Sequence, residues 1–227
     1  MESSSALGGR AATPSSPLRC AVLISGSGSG MEALVRSQQA NNLAHQTVVV
    51  LSNKPNVEGL KRAARLQIPT VVVEQSTSQG PLSREEHEFE IMKHLEAHDV
   101  EFVVLAGYMR LMSPTILERW GGRMVNIHPS LLPHFPGAHA HRDVLKAQPS
   151  MSGCTIHLVD EGMDTGSVLA QASVPLFKDD GEGELSDRVK IEEHRLYPEV
   201  LTWIAEGRVR LTKHGLEVDA REDRLVC

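Results

Sequence analysis

Asn126 and His128 stand two residues apart in the apolar run Met124-Val125-Asn126-Ile127-His128, and Pro129 and Pro133 follow close behind. Residues i and i+2 of a strand share one face, so the amide and the imidazole point together at one place. An amide donor beside a titratable ring suits a reaction that builds negative charge on an oxygen and then moves a proton. The same residues also fit a core strand that ends in a proline-rich turn with a surface histidine. A second segment, Asp160 to Gly166, carries Asp164 in a loop that Gly162 and Gly166 allow to be tight. Near His128 this carboxylate would favour the charged imidazolium and let the ring act as an acid near neutral pH. Away from it, Asp164 would only cap a turn.

A third segment, Ser25-Gly26-Ser27-Gly28-Ser29-Gly30, follows one apolar run and precedes a helical pattern. Backbone N–H groups at such a turn and at the helix N-terminus hold anions, and serine hydroxyls add donors. The dinucleotide fingerprint does not fit, because after Gly26 and Gly28 its third glycine would fall at Met31. No Gly-Lys-Ser/Thr follows, so the loop is not of the Walker type. A phosphate monoester is the anion it suits. His134, His139, His141 and His157 cluster in the sequence, but without a HExxH spacing or a nearby thiolate. No metal is therefore expected. His139 and His141 are instead expected to open a helix over 142–147 and touch polar substrate groups.

These segments need a frame to bring them together. Strand-like runs at 20–24, 47–51, 70–73, 102–105 and 124–128 alternate with helical patterns at 31–39, 57–66 and 84–98, and Ser113-Pro114 opens another helix. This alternation predicts an α/β fold, with a mostly parallel sheet and helices on both faces. Phe89, Met92 and Leu95 are expected on one buried stripe of the 84–98 helix. After Pro149 two strands, 154–159 and 167–176, follow each other directly, which predicts an antiparallel part of the sheet. A long amphipathic helix is expected over 184–205, interrupted near Pro198, then one edge strand and a frayed end.

At 227 residues the chain is long enough for one large α/β domain with a core of its own. Its net charge of −6 argues against a general binder of nucleic acid or anionic membrane, and no apolar run is long enough to span a bilayer. Small-molecule partners are expected, for a monomer or homodimer. Cys20, Cys154 and Cys227 are odd in number and far apart, which fits a reducing cytoplasm, with Cys20 and Cys154 as small core residues. The Ser-, Ala-, Gly- and Pro-rich start reads as a disordered tail over 1–19. The catalytic domain is expected over 20–213 and a C-terminal tail over 214–227.

The chain resembles the phosphoribosylglycinamide formyltransferases, folate-dependent enzymes of purine synthesis, over about Arg19 to Arg210. The likeness is carried by the serine-glycine loop, Leu105-Ala106-Gly107-Tyr108-Met109-Arg110, Asn126 to Pro133, and Phe135-Pro136-Gly137. Thr155-Ile156-His157 leading to Met163-Asp164-Thr165-Gly166, and Glu193-His194-Arg195-Leu196-Tyr197-Pro198, complete it. The resemblance implies a Rossmann-like formyltransferase fold. It implies transfer of the formyl group of 10-formyltetrahydrofolate, a co-substrate, to the amine of N1-(5-phosphoribosyl)glycinamide. The implied catalytic residues are Asn126, His128 and Asp164. Ser27, Gly28, Ser29 and Gly30 would hold the ribose phosphate and Glu193 the ribose hydroxyls. Arg84, Met109, Arg110, Leu111 and Met112, with Asn126, would line the folate site.

Two positions depart from the family pattern: Gly30 stands where Asn is usual, and His134 where Lys is frequent. A formyltetrahydrofolate deformylase would use water as acceptor, and usually carries an added N-terminal domain. A methionyl-tRNA formyltransferase would need an RNA-binding domain and more positive charge. A non-catalytic dinucleotide-binding domain is the reading from another class, against which the glycine spacing and the Asn-His-Asp set speak.

Overall fold

The computed structural model describes residues 5–78, 80–212 and 215–219. Its first half runs β1 (Ser5–Ala6), β2 (Leu18–Ile24), α1 (Ser29–Asn41), β3 (His45–Ser52), α2 (Glu58–Arg65) and β4 (Thr70–Val72). A small hairpin, β5 (Ser76–Thr77) and β6 (Gly80–Pro81), leads to α3 (Arg84–Ala97), β7 (Phe102–Leu105), α4 (Pro114–Trp120) and β8 (Met124–His128). Then come α5 (Ala140–Ala147), β9 (Met151–Leu158), β10 (Val168–Pro175), α6 (Glu182–Ala205), β11 (Val209–Thr212) and β12 (Gly215–Val218).

Seven strands form the central sheet in the order β10-β9-β8-β7-β2-β3-β4. The five from β8 to β4 are parallel, and β9 and β10 are added antiparallel. The expected parallel sheet with an antiparallel C-terminal part is thus observed. The central strands β2 and β7 are almost wholly buried, as their unbroken apolar runs require of strands covered on both faces. Alternate residues divide between two cores. Cys20, Val22 and Ile24 pack with α1 and α6 on one face. Ala21 and Leu23 pack with α3 and α4 on the other. The chain leaves β2 for β3 on one side, and later returns from β4 to β7 on the other. A crevice therefore opens at the carboxyl ends of β2 and β7, where such folds bind ligands.

Four expectations are corrected. The last long helix runs unbroken through Pro198. Proline removes one N–H from the ladder, but Leu196, Tyr197, Val200 and Leu201 are buried around it and hold the helix in place. On α3 the buried stripe is His87, Glu88, Ile91, Met92 and Leu95, while Phe89 is 53% exposed under the Lys93 ammonium. Residues 5–19, expected to be disordered, are packed onto the domain. β1 pairs with β11, and β2 already begins at Leu18. Leu7 and Ala12 are buried, and Ala12 N donates to Ala205 O. The Arg10 guanidinium bridges to Glu101 at 2.6 and 2.8 Å. Average composition hid these few anchors. At the other end β12 pairs with β11 where a tail was expected, and 220–227 lies outside the described residues. Cys20 and Cys154 are buried free thiols, and Cys227 lies outside the described residues. Among the described residues no helix is long and apolar enough to cross a membrane.

Candidate active site

A pocket of about 410 Å³ occupies the crevice. One end is walled by residues 26–30 after β2, and the middle by 105–112 after β7. The other end is walled by Asn126, His128 and the loop from Asp160 to Asp164. The first two walls are tied together: Met109 N donates to Ser25 Oγ at 3.0 Å, and that hydroxyl donates to Asn53 Oδ1 at 2.7 Å.

The Asn-His-Asp set is assembled by the sheet. β8 carries Asn126 and His128, and β9 lies antiparallel beside it with His157 opposite Asn126. The loop leaving β9 brings Asp164 back over both, at a positive φ of 56°. Its Oδ2 accepts from Gly137 N at 2.8 Å and lies 3.2 Å from His128 Nδ1. Its Oδ1 lies 3.4 Å from Asn126 Nδ2 and 3.5 Å from His157 Nε2. The other His128 nitrogen, Nε2, lies 2.8 Å from Phe135 O. Both ring nitrogens thus face acceptors, an arrangement that the two N–H groups of an imidazolium satisfy together. Burial pushes the Asp164 carboxyl upward. The His157 contact, the Gly137 N–H and the charge of the two histidines outweigh it and hold the group below the usual carboxylate range.

At the opposite end Gly28 precedes α1 in the left-handed region, φ 68°, and a Cβ there would lie 2.6 Å from Gly59 Cα. Only glycine meets both demands. No side chain caps α1, and its first residues, Ser29 and Gly30, line the pocket together with Ser27 and Gly28, the kind of helix start at which uncapped N–H groups can hold an anion. Gly30 has ordinary helical space around it, its nearest neighbour to an added Cβ being Ala106 Cβ at 4.0 Å. Gly30→Asn is therefore expected to fold normally and, by adding a donor, to lower the KM for a phosphorylated acceptor severalfold. An unchanged or higher KM refutes that contact.

Glu193 reaches the pocket from α6. One turn later Tyr197 donates its hydroxyl to Leu105 O at 2.7 Å and Val125 O at 3.2 Å, fixing this face of the helix against β7 and β8. Burial pushes the Glu193 carboxyl up to about 7, with Lys190 opposing. The folded state therefore holds this proton to higher pH than the unfolded chain. The resulting cost to stability appears as pH rises from about 4.5 to about 7 and is constant above. Glu193→Gln is expected to gain stability over the parent across that window, by at most about 3 kcal/mol. Urea midpoints at several pH values measure it, and a difference independent of pH contradicts it.

Most of the expected site residues meet here: Ser27, Gly28, Ser29, Gly30, Met109, Arg110, Leu111, Met112, Asn126, His128, Asp164 and Glu193 all line the pocket. Arg84 does not; it is exposed at the start of α3. His139 and His141 begin α5, as expected, but neither lines the pocket, and His134 is exposed. His157 belongs to the histidine cluster and to the Thr155-Ile156-His157 stretch of the resemblance, neither of which assigns it a role. The structure sets its Nε2 3.2 Å from Asn126 Nδ2, with Nδ1 2.8 Å from Leu158 O. Its place beside Asn126 comes from the cross-strand register of β8 and β9. Among the described residues no group of three or more His, Cys, Asp or Glu side chains is gathered to hold a metal ion.

This fold and crevice are those of a formyl transferase: the family model of that description matches residues 18–201. The phosphoribosylglycinamide formyltransferase of Escherichia coli strain K12 is 37% identical over 200 residues, covering 88% of this chain and 93% of that protein. The glycinamide ribonucleotide transformylase 1 structure from Symbiobacterium toebii superposes with a TM-score of 0.84 at 36% identity, covering 89% of this chain and 94% of that one. The chain belongs to the phosphoribosylglycinamide formyltransferase family, whose members are transferases. The trifunctional purine biosynthetic protein adenosine-3 of Drosophila pseudoobscura pseudoobscura is 45% identical over 194 residues, which are 85% of this chain but 14% of that protein. The chain thus spans about a seventh of the length of that relative.

Proposed function

We propose that this chain transfers the formyl group of 10-formyltetrahydrofolate to the amine of N1-(5-phosphoribosyl)glycinamide in cytoplasmic purine synthesis. On this reading it works on small molecules as one catalytic domain without a metal. The supporting observation is that Asp164 lies 3.2 Å from His128 and 3.4 Å from Asn126 at one end of a crevice. The other end is a glycine turn at a helix N-terminus. Phosphate held at 27–30 directs the acceptor amine along the crevice, so remote binding energy lowers the entropic barrier to attack.

The amine lone pair attacks the formyl carbon, and the carbonyl electrons move onto oxygen. Asn126 donates to that oxyanion from its amide. His128 supports the same charge from its Nε2 side, which turns from Phe135 O toward the oxygen, while Nδ1 keeps its 3.2 Å contact to Asp164. Asp164 then holds the charged ring in place, and a proton passes through water from the amine to the departing folate nitrogen. No covalent enzyme intermediate is involved. The test is purified protein with 10-formyltetrahydrofolate, the ribonucleotide added or omitted. Folate product is expected only when the ribonucleotide is present, and equal release without it contradicts the transferase reading.

A further inference from the structure

Glu88 is a carboxylate at 2% exposure on a helix stripe otherwise continued by Ile91, Met92 and Leu95. Burial of such a group is costly unless it is hydrogen-bonded. Its two oxygens take both donors of one residue: Ser113 N at 2.9 Å, and the Ser113 hydroxyl. Ser113 is itself 1% exposed and stands at the N-cap of α4, yet its hydroxyl makes no cap bond there. It directly follows Met112, the last residue of the pocket wall after β7. The start of that wall is pinned independently by Met109 N on Ser25 Oγ. Between the two pins lie Arg110, Leu111 and Met112. Leu111 is 38% exposed and Arg110 half-buried, so of these three only Met112, at 2% exposure, is packed into the core.

We infer that Glu88, which does not line the pocket, is a positioning residue for its folate-facing wall: by clasping Ser113 it sets the backbone of 110–112 for the formyl donor. This rests on the reading of that wall as the donor site. The acceptor end at 27–30 has its own support in Gly28 and Gly59. Loss of the clasp therefore acts on one substrate and spares the other.

Glu88→Gln keeps the size but offers one acceptor oxygen in place of two, and Ser113→Ala removes the hydroxyl alone. For Glu88→Gln the KM for 10-formyltetrahydrofolate is expected to rise about tenfold, the scale of one buried donor left unpaired. For Ser113→Ala a smaller rise is expected. The KM for the ribonucleotide and kcat at saturation stay at the parent values in both. Amide hydrogen exchange is expected to speed up at 110–112 in Glu88→Gln and to stay unchanged at 27–30. A general loss of stability would raise both KM values together, or neither, and either result overturns the proposal. If the parent protein shows no ribonucleotide-dependent transfer, the functional reading fails by itself. The exchange comparison then decides the role of Glu88: unchanged exchange at 110–112 refutes it.

Discussion

Asp164→Asn is expected to lower kcat by at least about 10²-fold, the scale of an acid–base group, with both KM values near those of the parent. The substitution keeps the shape and can still accept from Gly137 N. It removes the negative charge 3.2 Å from His128 Nδ1 and can set an amide N–H against a ring N–H. The ring then loses the acceptor that orients it. Folding is expected to survive, because the isosteric amide keeps the Gly137 N–H contact and the loop has its own support. Asp160 accepts from Gly162 N at 3.1 Å and from the Thr165 hydroxyl at 2.8 Å. The pH dependence has a definite sign. The Asp164 carboxyl is held below its ordinary value of 3.8. The stability it contributes is therefore fully present above about pH 4 and is lost only as pH falls through the lower folded value. Parent and variant should differ by a constant amount at neutral pH and converge in acid. Turnover within a few-fold of the parent would remove Asp164 from the mechanism.

The frame of this site was readable in the sequence, and the reason is local. β7 and β8 fall at the bounds that their apolar runs predict. The glycine turn announces itself because Gly28 must take a positive φ against Gly59. What was not readable depends on partners distant in the chain. Pro198 looks like a helix break until the buried side chains around it are seen. Phe89 looks like core until the helix is docked and Glu88 takes the inward position. Leu7 and Arg10 look like tail until β11, α6 and Glu101 are in place. His157 joins the site only through its register opposite Asn126. The distance from His128 to Asp164, the step on which any chemical reading turns, is set by the β9–β10 loop.

Asn126→Ala is expected to lower kcat by about 10²–10³-fold, the loss seen when one oxyanion donor is removed, equivalent to about 2.7–4 kcal/mol. The protein holds this amide only loosely. Its contacts, 3.2 Å to His157 Nε2 and 3.4 Å to Asp164 Oδ1, are both long. They orient the group and leave it free for a stronger acceptor. A neutral formyl oxygen is a modest acceptor and an oxyanion a strong one, so the donor counts most in the transition state. The loss should therefore fall on kcat and leave the KM for 10-formyltetrahydrofolate nearly unchanged. A raised KM with normal kcat would make Asn126 a ground-state ligand instead. The double variant with Asp164→Asn adds a sharper check. If the amide, ring and carboxylate act on one intermediate as a unit, the double variant is little slower than the slower single one. Fully multiplicative losses would mean that the two side chains assist separate steps, and that the site is two devices sharing one crevice.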